Sequence, residues 1–427
     1  MKQRADYTFK FNKSLGRHGW LRLTPAYSVK LVREILSDAP KDSHVFDPFS
    51  GTGTTGLVAA EFGLRSAVND INPFLIWFAS TKCCNFSAQN LTSNLHKLKE
   101  ITATVKKGLT KQNWLPPIHN IERWWDASAL KALGALRAAL LEIGGMPDST
   151  CSFSLFWIAF CRLVIETSSA SFSHVSMSFK EKPEIFEESF ILDLFSSISE
   201  AIFESAIKPI EGHVTVFNGD SRTLDHINCP KFTHVITSPP YSNRISYIRE
   251  LRPYMYWLGF LNLPREAGDL DWEAIGGTWG IATSKLSTWN PLKDGLPSDL
   301  YSTCDKIQKS SNKHSETLSK YVLKYYYDMH MHFESLRGHL APDAKLVYIV
   351  GNSTFYGVHV HADKLLKTSL ESLGYEDIEI SIIRKRNCKK ELFEYCVSAV
   401  WKKQDQISFR PFNGSSNMEE QLTLQFA

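Results

Sequence analysis

The stretch that decides the fold is HVFDPFSGTGTTG, which runs over residues 44–56. A short apolar run ends at Asp47, and helical spacing of apolar residues follows over 57–62. Between them lie three glycines in G-x-G-x-x-G spacing, at Gly51, Gly53 and Gly56. The pattern predicts a strand, a tight turn and a helix. Glycine in the turn permits a positive φ and the close approach of a ligand, while the free N–H groups of the helix start favour an anionic or polar group.

A second strand is predicted over 66–68, and Asp70 follows near its end. A carboxylate in this place typically binds the two hydroxyls of a ribose. The fingerprint therefore favours a nucleotide-like cofactor, and it says nothing about the reaction. A plain loop inside an ordinary α/β core is the alternative that this spacing alone leaves open.

The composition is that of a globular protein with a sizeable core. The chain has 427 residues, of which 43% are hydrophobic and 22% charged. Its formal net charge of +3 neither demands nor excludes nucleic acid, because a basic groove can coexist with an acidic remainder. The eight cysteines form no C-x-x-C pair, which predicts reduced thiols and no metal site. Without a signal-peptide pattern or a long apolar run, we expect a cytoplasmic protein with no membrane partner.

Strand and helix patterns alternate along the chain, apart from two inserted segments. Residues 76–210 are mostly helical in pattern and predict a helical insertion at the sheet edge. Residues 261–316 lack periodicity and are rich in Gly, Ser, Trp and Pro, which predicts an irregular insertion of the kind that often binds ligands. The other predicted segments are an N-terminal part with the first half of the core (1–75), two further core parts (211–260 and 317–403) and a tail (404–427).

The core segments predict an α/β fold with a mostly parallel sheet. Its last two strands, over 378–384 and 392–401, predict an antiparallel hairpin at the sheet edge. Near the N-terminus, an irregular segment over 18–28 precedes a helix predicted over 29–36. This segment either lies over the cofactor or belongs to a cover over the sheet, and the sequence leaves both readings open.

A second motif, TSPPY at residues 237–241, directly follows a strand predicted over 233–236. Open α/β sheets place their sites at the carboxyl ends of parallel strands. The two prolines fix φ and remove N–H donors, which leaves the carbonyls of Ser238 and Pro239 as acceptors at a rigid corner. Such a corner suits an exocyclic amino group, with Tyr241 stacked on the ring that carries it. A simple Pro-Pro turn is the alternative reading.

Together the two motifs resemble those of the DNA amino-group methyltransferases of bacterial restriction-modification systems, which use S-adenosylmethionine. The Ser form of Ser-Pro-Pro-Tyr is typical of their cytosine-N4 branch. The resemblance covers roughly residues 18–75 and 214–402, and it leaves 260–316 and the helical insertion unmatched. The cofactor motif precedes the catalytic motif, unlike the permuted order common among cytosine-N4 enzymes. The resemblance implies a Rossmann-like methyltransferase sheet.

The resemblance also implies a site in two halves. The implied cofactor-binding residues are Asp47, Phe49, Gly51, Gly53, Thr54, Asp70 and Asp220. The implied catalytic residues are Ser238, Pro239, Pro240 and Tyr241. In this reading Asp70 holds the ribose hydroxyls, Asp220 meets the adenine amino group, and Asp47 lies near the sulfonium or amino group.

An exocyclic amine is a poor nucleophile, because its lone pair is delocalised into the ring. Hydrogen bonds from its N–H groups to Ser238 and to the Pro239 carbonyl would favour a tetrahedral nitrogen and aim its lone pair at the methyl group. The target amine is buried in duplex DNA, so the base must be flipped out and stacked, here on Tyr241.

Several basic side chains are candidates for contacts with DNA phosphates. The leading ones are Arg244, Arg249, Arg384 and Arg386, with Arg252, Lys385 and Asn387 beside them. A solvated charged turn is the alternative for 384–387. The glycine-rich segment 276–280, together with Trp272, is a further candidate for reading a DNA groove.

The predicted function is methylation of the N4 amino group of a flipped cytosine within a specific double-stranded DNA sequence. A cognate restriction endonuclease would then be a functional partner. Adenine-N6 methylation of DNA and guanine-N2 methylation of RNA remain open within the same class. From other classes, a nicotinamide-dependent oxidoreductase leaves Ser-Pro-Pro-Tyr unexplained, and the intact motifs argue against a catalytically silent DNA-binding module.

Overall fold

The computed structural model describes residues 4–23, 26–108, 114–171, 178–180, 185–277, 281–292, 296–310, 312–386 and 392–402. The helices are α1 (Val29–Leu36), α2 (Thr54–Glu61), α3 (Pro73–Lys82), α4 (Ala88–Lys106), α5 (Ala127–Gly144), α6 (Cys151–Glu166), α7 (Glu188–Ala206), α8 (Tyr247–Leu258), α9 (Pro264–Glu273), α10 (Ile281–Thr288), α11 (Ser298–Gln308), α12 (Ser315–Leu336) and α13 (Ala362–Ser372). The strands are β1 (His44–Asp47), β2 (Arg65–Asp70), β3 (Ala170–Ser171), β4 (Ser178–Phe179), β5 (His213–Asn218), β6 (Phe232–Thr237), β7 (Leu340–Gly351), β8 (Ser353–Phe355), β9 (Val358–Val360), β10 (Glu376–Lys385) and β11 (Phe393–Trp401).

A seven-stranded sheet in the order β10-β11-β7-β6-β1-β2-β5 organises the chain. Five neighbouring strands, from β5 to β7, run parallel, and β11 runs antiparallel to both of its neighbours. The predicted α/β fold is therefore confirmed as a Rossmann-like sheet with an antiparallel hairpin at one edge. The hairpin has β10 outermost, so its antiparallel strand β11 lies inside the sheet.

The strand order reverses between β1 and β6. From β1 the chain proceeds through β2 to β5 on one side, and it later returns to build β6 and β7 on the other side. Val45 of β1 pairs with Ser66 of β2 and with His234 of β6, which fixes the register at the reversal. Open α/β sheets bind ligands in the crevice at such a reversal, outside the carboxyl ends of the strands.

The helices pack around the sheet in two large hydrophobic clusters. One cluster joins α3 to the inserted helices α4–α7 and to α8, and the other joins α11, α12 and α13 to the sheet. Trp257 of α8 lies fully buried, with its ring 5.7 Å from Trp125 and 5.8 Å from Phe160 between ring centroids. The helix that follows the Ser-Pro-Pro-Tyr motif is thus anchored in the core of the helical insertion.

The segment over 261–316 is not irregular as expected. It contains the three helices α9, α10 and α11. They are 10, 8 and 11 residues long, and the sequence between them contains four glycines and two prolines, at Gly276, Gly277, Gly280, Gly295, Pro291 and Pro297. Short helices between such residues leave too few turns for apolar periodicity to show in the sequence.

The expectation that all cysteines are reduced thiols is wrong for one pair. Cys84, just after α3, and Cys151, at the start of α6, form a disulfide with their Cα atoms 6.7 Å apart. These residues are 67 positions apart in sequence and meet because α3 and α6 pack together. None of the helices in the described ranges combines the length and apolar character needed to cross a membrane.

Candidate functional site

A cavity of about 280 Å³ lies where the strand order reverses. Its walls come from the N-terminal segment, the ends of β1, β2, β5 and β6, the residues after α9, and the β10–β11 hairpin. Many of the predicted site residues line it: Phe49, Gly51, Asp70, Asp220, Ser238, Pro239, Pro240, Tyr241, Arg384 and Arg386. The structure therefore brings the two predicted halves of the site into one cavity.

The glycine loop forms one wall of this cavity and is tied to Asp70. The N–H of Gly51 donates to Oδ2 of Asp70 at 3.0 Å, and the N–H of Asn72 donates to Oδ1 at 2.9 Å. Gly51 itself has a φ of +49°, which favours glycine at this turn. Burial raises the pKa of Asp70 to about 7, while these backbone N–H groups oppose the rise.

Gly53, Thr54 and Gly56 lie outside the cavity wall. Gly53 caps α2 with a φ of +70°, and a Cβ there would come within 2.8 Å of the Cβ of Ala79. A Cβ on Gly56 would meet the side chain of Val68 at 2.6 Å. Thr54 is buried, with its hydroxyl 3.1 Å from that of Thr52. These residues place the loop through packing, so the structure gives no support to a direct cofactor contact by Gly53 or Thr54.

Asp47 also lies beneath the cavity, which corrects its expected place beside the cofactor. Its carboxylate is fully buried and accepts hydrogen bonds of 2.6 Å from the hydroxyls of both Thr55 and Thr237. The N–H of Phe49 donates to it at 3.1 Å. Burial raises the pKa of Asp47 to about 6, against the effect of these donors. Asp47 therefore fastens β1 to α2 and β6.

Asp220 faces the cavity, and Arg222 binds both of its carboxylate oxygens. The Nε of Arg222 donates to Oδ2 of Asp220 at 2.8 Å, and its Nη1 lies 3.7 Å from Asp328 on α12. Lys324 pairs with Asp328 at 2.5 Å. Burial raises the pKa of Asp328, while Lys324 and Arg222 oppose the rise. A chain of ion pairs thus connects the cavity to α12.

Phe49 rests against a histidine that is held neutral. The ring of His332 lies 4.8 Å from that of Phe49, edge to face, and is fully buried. Its Nδ1 donates to the Ser221 carbonyl at 2.7 Å, because a carbonyl can only accept, and its Nε2 therefore accepts from the hydroxyl of Tyr348 at 2.7 Å. Burial lowers the pKa of His332 to about 4. This support holds Phe49 at the cavity wall.

The Ser-Pro-Pro corner forms another part of the cavity wall. The Oγ of Ser238 donates to the carbonyl of Ile349 on β7 at 3.1 Å, which leaves the oxygen free to accept from the cavity side. Gly276, after α9, lies beside the corner, and a Cβ there would lie 3.7 Å from the Cβ of Pro240. The corner is thus held between β7 and the residues that follow α9.

Tyr241 is held by residues from the β10–β11 hairpin. Its hydroxyl donates to Oε1 of Glu394 at 2.8 Å, and Arg384 donates to both oxygens of Glu394, at 2.7 and 3.1 Å. The guanidinium of Arg386 lies 4.9 Å above the Tyr241 ring. Burial and the nearby Glu394 raise the pKa of Tyr241 well above its usual value.

The hairpin arginines are therefore not on a solvated turn, and the structure does not leave them free for phosphates. The Arg384 side chain is 20% exposed and engaged with Glu394, while Arg386 donates to the carbonyl of Asn352 at 3.0 Å. Arg244 is exposed, and its backbone N–H donates to the hydroxyl of Tyr321 at 3.2 Å. Arg249 lies on the first turn of α8, partly buried. Neither Arg244 nor Arg249 lines the cavity.

The remaining residues predicted to contact DNA are divided. Gly276 and Gly277 line the cavity, whereas Trp279 and Asn387 lie outside the described residues. Trp272 packs under the ammonium of Lys324, with the Nζ atom 4.9 Å from its ring centroid. This places Trp272 beside the ion pairs of α12.

The N-terminal segment does lie over the cavity. Tyr7, Thr8, Ala26, Tyr27, Ser28 and Leu31 all line it. The hydroxyl of Tyr27 hydrogen-bonds to that of Thr55, which in turn donates to Asp47. Burial raises the pKa of Tyr27 well above its usual value. Both readings of 18–28 thus hold in part, because residues 26–28 border the cavity while Trp20, Leu21 and Leu23 pack into the hydrophobic core.

Two acidic residues of the cavity were not predicted from the sequence, Glu394 and Asp271. Asp271, on α9, is buried and accepts from the hydroxyl of Ser246 at 2.6 Å. Glu394 is a lone acidic residue at the start of a strand, and it contacts Tyr241 across 153 positions of sequence. The sequence signal for Glu394 was a single acidic residue in a largely apolar strand. That signal does not show which side chain the carboxylate contacts.

Comparisons with known proteins point to DNA methyltransferases. A family model described as D12 class N6 adenine-specific DNA methyltransferase matches residues 29–123. The chain is 22% identical to Type II methyltransferase M.BsoBI of Geobacillus stearothermophilus, over 91% of this chain and 84% of that protein. It is also 22% identical to Type II methyltransferase M.MvaI of Kocuria varians, over 77% of this chain and 74% of that protein.

Two further proteins are more distant. Type II methyltransferase M.AvaI of a Nostoc strain is 18% identical over 89% of this chain and 83% of that protein. Among solved structures, the rRNA methyltransferase aviRa from Streptomyces viridochromogenes aligns over 89% of this chain and 87% of that chain, with 12% identity and a TM-score of 0.30. Structural similarity at that level carries no argument about function.

Proposed function

We propose that this chain is a site-specific DNA methyltransferase of the Type II restriction-modification kind, acting on an exocyclic amino group of a base. The observation that carries the proposal is the single cavity between the glycine loop with Asp70 and the Ser238–Tyr241 corner. The similarity to Type II methyltransferases extends over most of the chain and supports the same conclusion.

The cofactor is S-adenosylmethionine, which supplies a methyl group activated by a positively charged sulfur. The residues of the cavity fit this molecule. Each oxygen of Asp70 accepts one backbone N–H, and an ionised carboxylate has further lone pairs for two ribose hydroxyls. Gly51 has no side chain to block the approach, and Phe49 offers an apolar surface. Asp220 borders the same space, where it would share its oxygens between Arg222 and an adenine amino group.

On the other side, the chain binds and orients the amine. The Oγ of Ser238 and the carbonyl of Pro239 accept from its two N–H groups, which turns the nitrogen lone pair away from the corner and toward the cofactor side. Hydrogen bonds to both acceptors strengthen as positive charge develops on the nitrogen. Tyr241 supplies the surface on which the flipped base stacks. Double-stranded DNA is then the substrate, and Arg244 is an exposed candidate for a phosphate contact.

Two observations favour different target bases. The D12 family model favours adenine N6, the alternative left open by the sequence, over the cytosine N4 that the sequence predicted first. Its match over 29–123 contains the cofactor loop and ends before the corner at 238–241. The serine at position 238 favours cytosine N4. Both amines carry two N–H groups, so the same acceptors serve either base.

Transfer of tritiated methyl groups to DNA tests the proposal. Wild-type protein incubated with unmethylated plasmid DNA and labelled S-adenosylmethionine should label the DNA. Ser238→Ala removes one acceptor for the amine and should lower the rate by about 10²-fold or more, as loss of one transition-state hydrogen bond typically does. Ser372→Ala, a serine at the end of α13 outside the cavity, is the matched control and should keep the wild-type rate.

Calorimetry separates the proposal from the other classes. The wild type and Ser238→Ala should both bind S-adenosylmethionine, because Ser238 belongs to the corner assigned to the amine and makes no hydrogen bond to the glycine loop or to Asp70 in the part of the chain that the structure describes. Binding of a nicotinamide dinucleotide in place of S-adenosylmethionine would favour an oxidoreductase. Binding of DNA without any methyl transfer by the wild type would favour a silent DNA-binding module. Identification of the methylated nucleoside decides between adenine and cytosine.

A further inference from the structure

The hydroxyl of Tyr241 is hydrogen-bonded to the buried carboxylate of Glu394, a residue that belongs to neither sequence motif. It donates to Oε1 of Glu394 at 2.8 Å, and Glu394 is 6% exposed. Arg384 supplies the counter-charge through two hydrogen bonds, from Nε to Oε2 at 2.7 Å and from Nη2 to Oε1 at 3.1 Å. A bidentate pair of this kind fixes the carboxylate in direction as well as in position.

Arg386 restrains the same ring from one of its faces. Its guanidinium carbon lies 4.9 Å from the ring centroid of Tyr241, and its Nη1 donates to the carbonyl of Asn352 at 3.0 Å. The space for this arrangement comes from Gly351, which pairs with Glu394 across β7 and β11. A Cβ on Gly351 would lie 2.9 Å from Cδ2 of Tyr241 and would run into the Arg386 guanidinium.

These contacts remove the freedom that a tyrosine side chain ordinarily has. A tyrosine turns about two torsions, so a fixed hydroxyl and a covered face together define the plane of its ring. Tyr241, Glu394, Arg384 and Arg386 all line the cavity. With Arg386 on one face, the other face of the ring is the one left for a stacked base. A stacking surface that is already fixed costs less entropy to use when the base arrives.

We propose that Glu394 is a positioning residue for methyl transfer, which holds Tyr241 in the plane on which the target base stacks. Arg384 orients Glu394, and Arg386 closes the face of Tyr241 that the base does not use. The proposal rests on the proposed function, because it needs a base bound against Tyr241. It gives the two arginines, expected from the sequence to contact phosphates, a role within the base pocket.

A double-mutant cycle on methyl transfer tests this positioning role. Tyr241→Phe keeps the ring and removes the hydroxyl, and Glu394→Ala removes its acceptor. Each single variant should lower kcat/KM for unmethylated plasmid DNA by about tenfold, the size expected for one hydrogen bond to a charged group. The double variant should be no slower than the slower single variant, because both changes remove the same interaction.

Three further measurements separate positioning from general damage. Glu394→Gln keeps an acceptor for the Tyr241 hydroxyl and should recover part of the rate lost in Glu394→Ala. The Kd of S-adenosylmethionine, measured by calorimetry, should stay at the wild-type value in all these variants. Asp377→Asn removes an ion pair with Lys402 on the same β10–β11 hairpin, 2.8 Å long and outside the cavity, and should leave kcat/KM unchanged.

The outcomes distinguish this proposal from the proposed function. If the wild type labels DNA and Glu394→Ala retains its kcat/KM, Glu394 does not position Tyr241. If the two losses multiply in the double variant, the residues act independently and the proposal is wrong. If Glu394→Ala does not fold, Tyr241→Phe carries the test, and a wild-type kcat/KM in that variant overturns the proposal. A wild type that labels no DNA would contradict the proposed function itself.

Discussion

The three glycines of the loop serve different physical purposes, although the sequence pattern treats them alike. Gly51 lines the cavity and donates its N–H to Asp70. Gly53 combines a positive φ with close contact to Ala79, and Gly56 lets α2 lie against Val68 of β2. One position therefore serves the ligand, and the other two serve the packing that places the loop.

Replacement of Gly53 by alanine should destabilise the protein. The new Cβ would lie 2.8 Å from the Cβ of Ala79, and an L residue is strained at a φ of +70°. We expect the free energy of unfolding to fall by about 1–3 kcal/mol, which thermal or urea unfolding measures. Gly338→Ala is the control, because its Cβ would meet no described atom within 4 Å. Equal stability of the two variants would contradict this account of the loop.

Asp70 should make cofactor affinity depend on pH. Its carboxyl has a pKa of about 7, raised by burial, and the ionised form is the better acceptor for two hydroxyls. Binding should therefore strengthen as pH rises through 7, and the Kd for S-adenosylmethionine should fall by about tenfold between pH 6 and pH 8. Calorimetry at both pH values measures this.

Asp70→Asn is the control for this pH dependence. It should bind S-adenosylmethionine weakly and with nearly the same Kd at both pH values, since no group then titrates at that position. His332 lies nearby, but burial holds its pKa at about 4, so it stays neutral throughout this range. A wild-type affinity that does not change between pH 6 and pH 8 would show that Asp70 does not hold the ribose.

At the scale of elements, Asp47 joins three parts of the fold at the strand-order reversal. It ends β1 and accepts hydrogen bonds from Thr55 on α2 and Thr237 at the end of β6. Thr237 immediately precedes the Ser-Pro-Pro corner. The relative position of the cofactor loop and the catalytic corner therefore depends on this buried carboxylate. This explains why an Asp occupies position 47 although it does not line the cavity.

Loss of the Thr237 hydroxyl should destabilise the fold more at high pH than at low pH. Burial raises the pKa of Asp47 from its ordinary value of 3.8 to about 6, so the folded state binds the proton more tightly than the unfolded state. This proton binding stabilises the folded state at low pH, and the stabilisation is lost as pH rises through 6. Thr237→Val leaves the ionised form with fewer donors and should cost about 1–3 kcal/mol at pH 8.

At pH 5 the cost of Thr237→Val should be clearly smaller, since Asp47 is then mostly neutral in the folded state. Unfolding by urea at the two pH values measures the difference. Thr102→Val is the control, because Thr102 on α4 bonds only to backbone carbonyls of its own helix. Its cost should not change with pH, and a pH-independent cost in Thr237→Val would contradict the role given to Asp47.

For the whole molecule, the sequence predicted the sheet better than its surroundings. The core strands and α1 carry strong apolar patterns or follow glycine and proline signals, and the structure places them where expected. Helices α9 to α11 were missed because each has too few turns for a period to show. Tertiary contacts, which local patterns do not contain, join these helices to the sheet.

The site was predictable where a motif carried it and not where distant residues met. Asp70 and the Ser238–Tyr241 corner could be found because each follows a strand at fixed spacing. Glu394 could not be found, because its meeting with Tyr241 depends on the pairing of β7 with β11. The pairing of β10 with β11 sets Arg384 opposite Glu394 and draws it into the cavity, which is why the alternative reading of a solvated charged turn fails for this residue.

The most direct test of the central claim is mass spectrometry of nucleosides from DNA exposed to the protein. Unmethylated plasmid DNA is incubated with S-adenosylmethionine and wild-type protein, and then digested to nucleosides. We predict a methyl group on an exocyclic nitrogen, as N6-methyladenine or N4-methylcytosine, formed about 10²-fold or more slowly with Ser238→Ala. The absence of any methylated nucleoside with the wild type, or a methyl group on a ring carbon, would contradict the account.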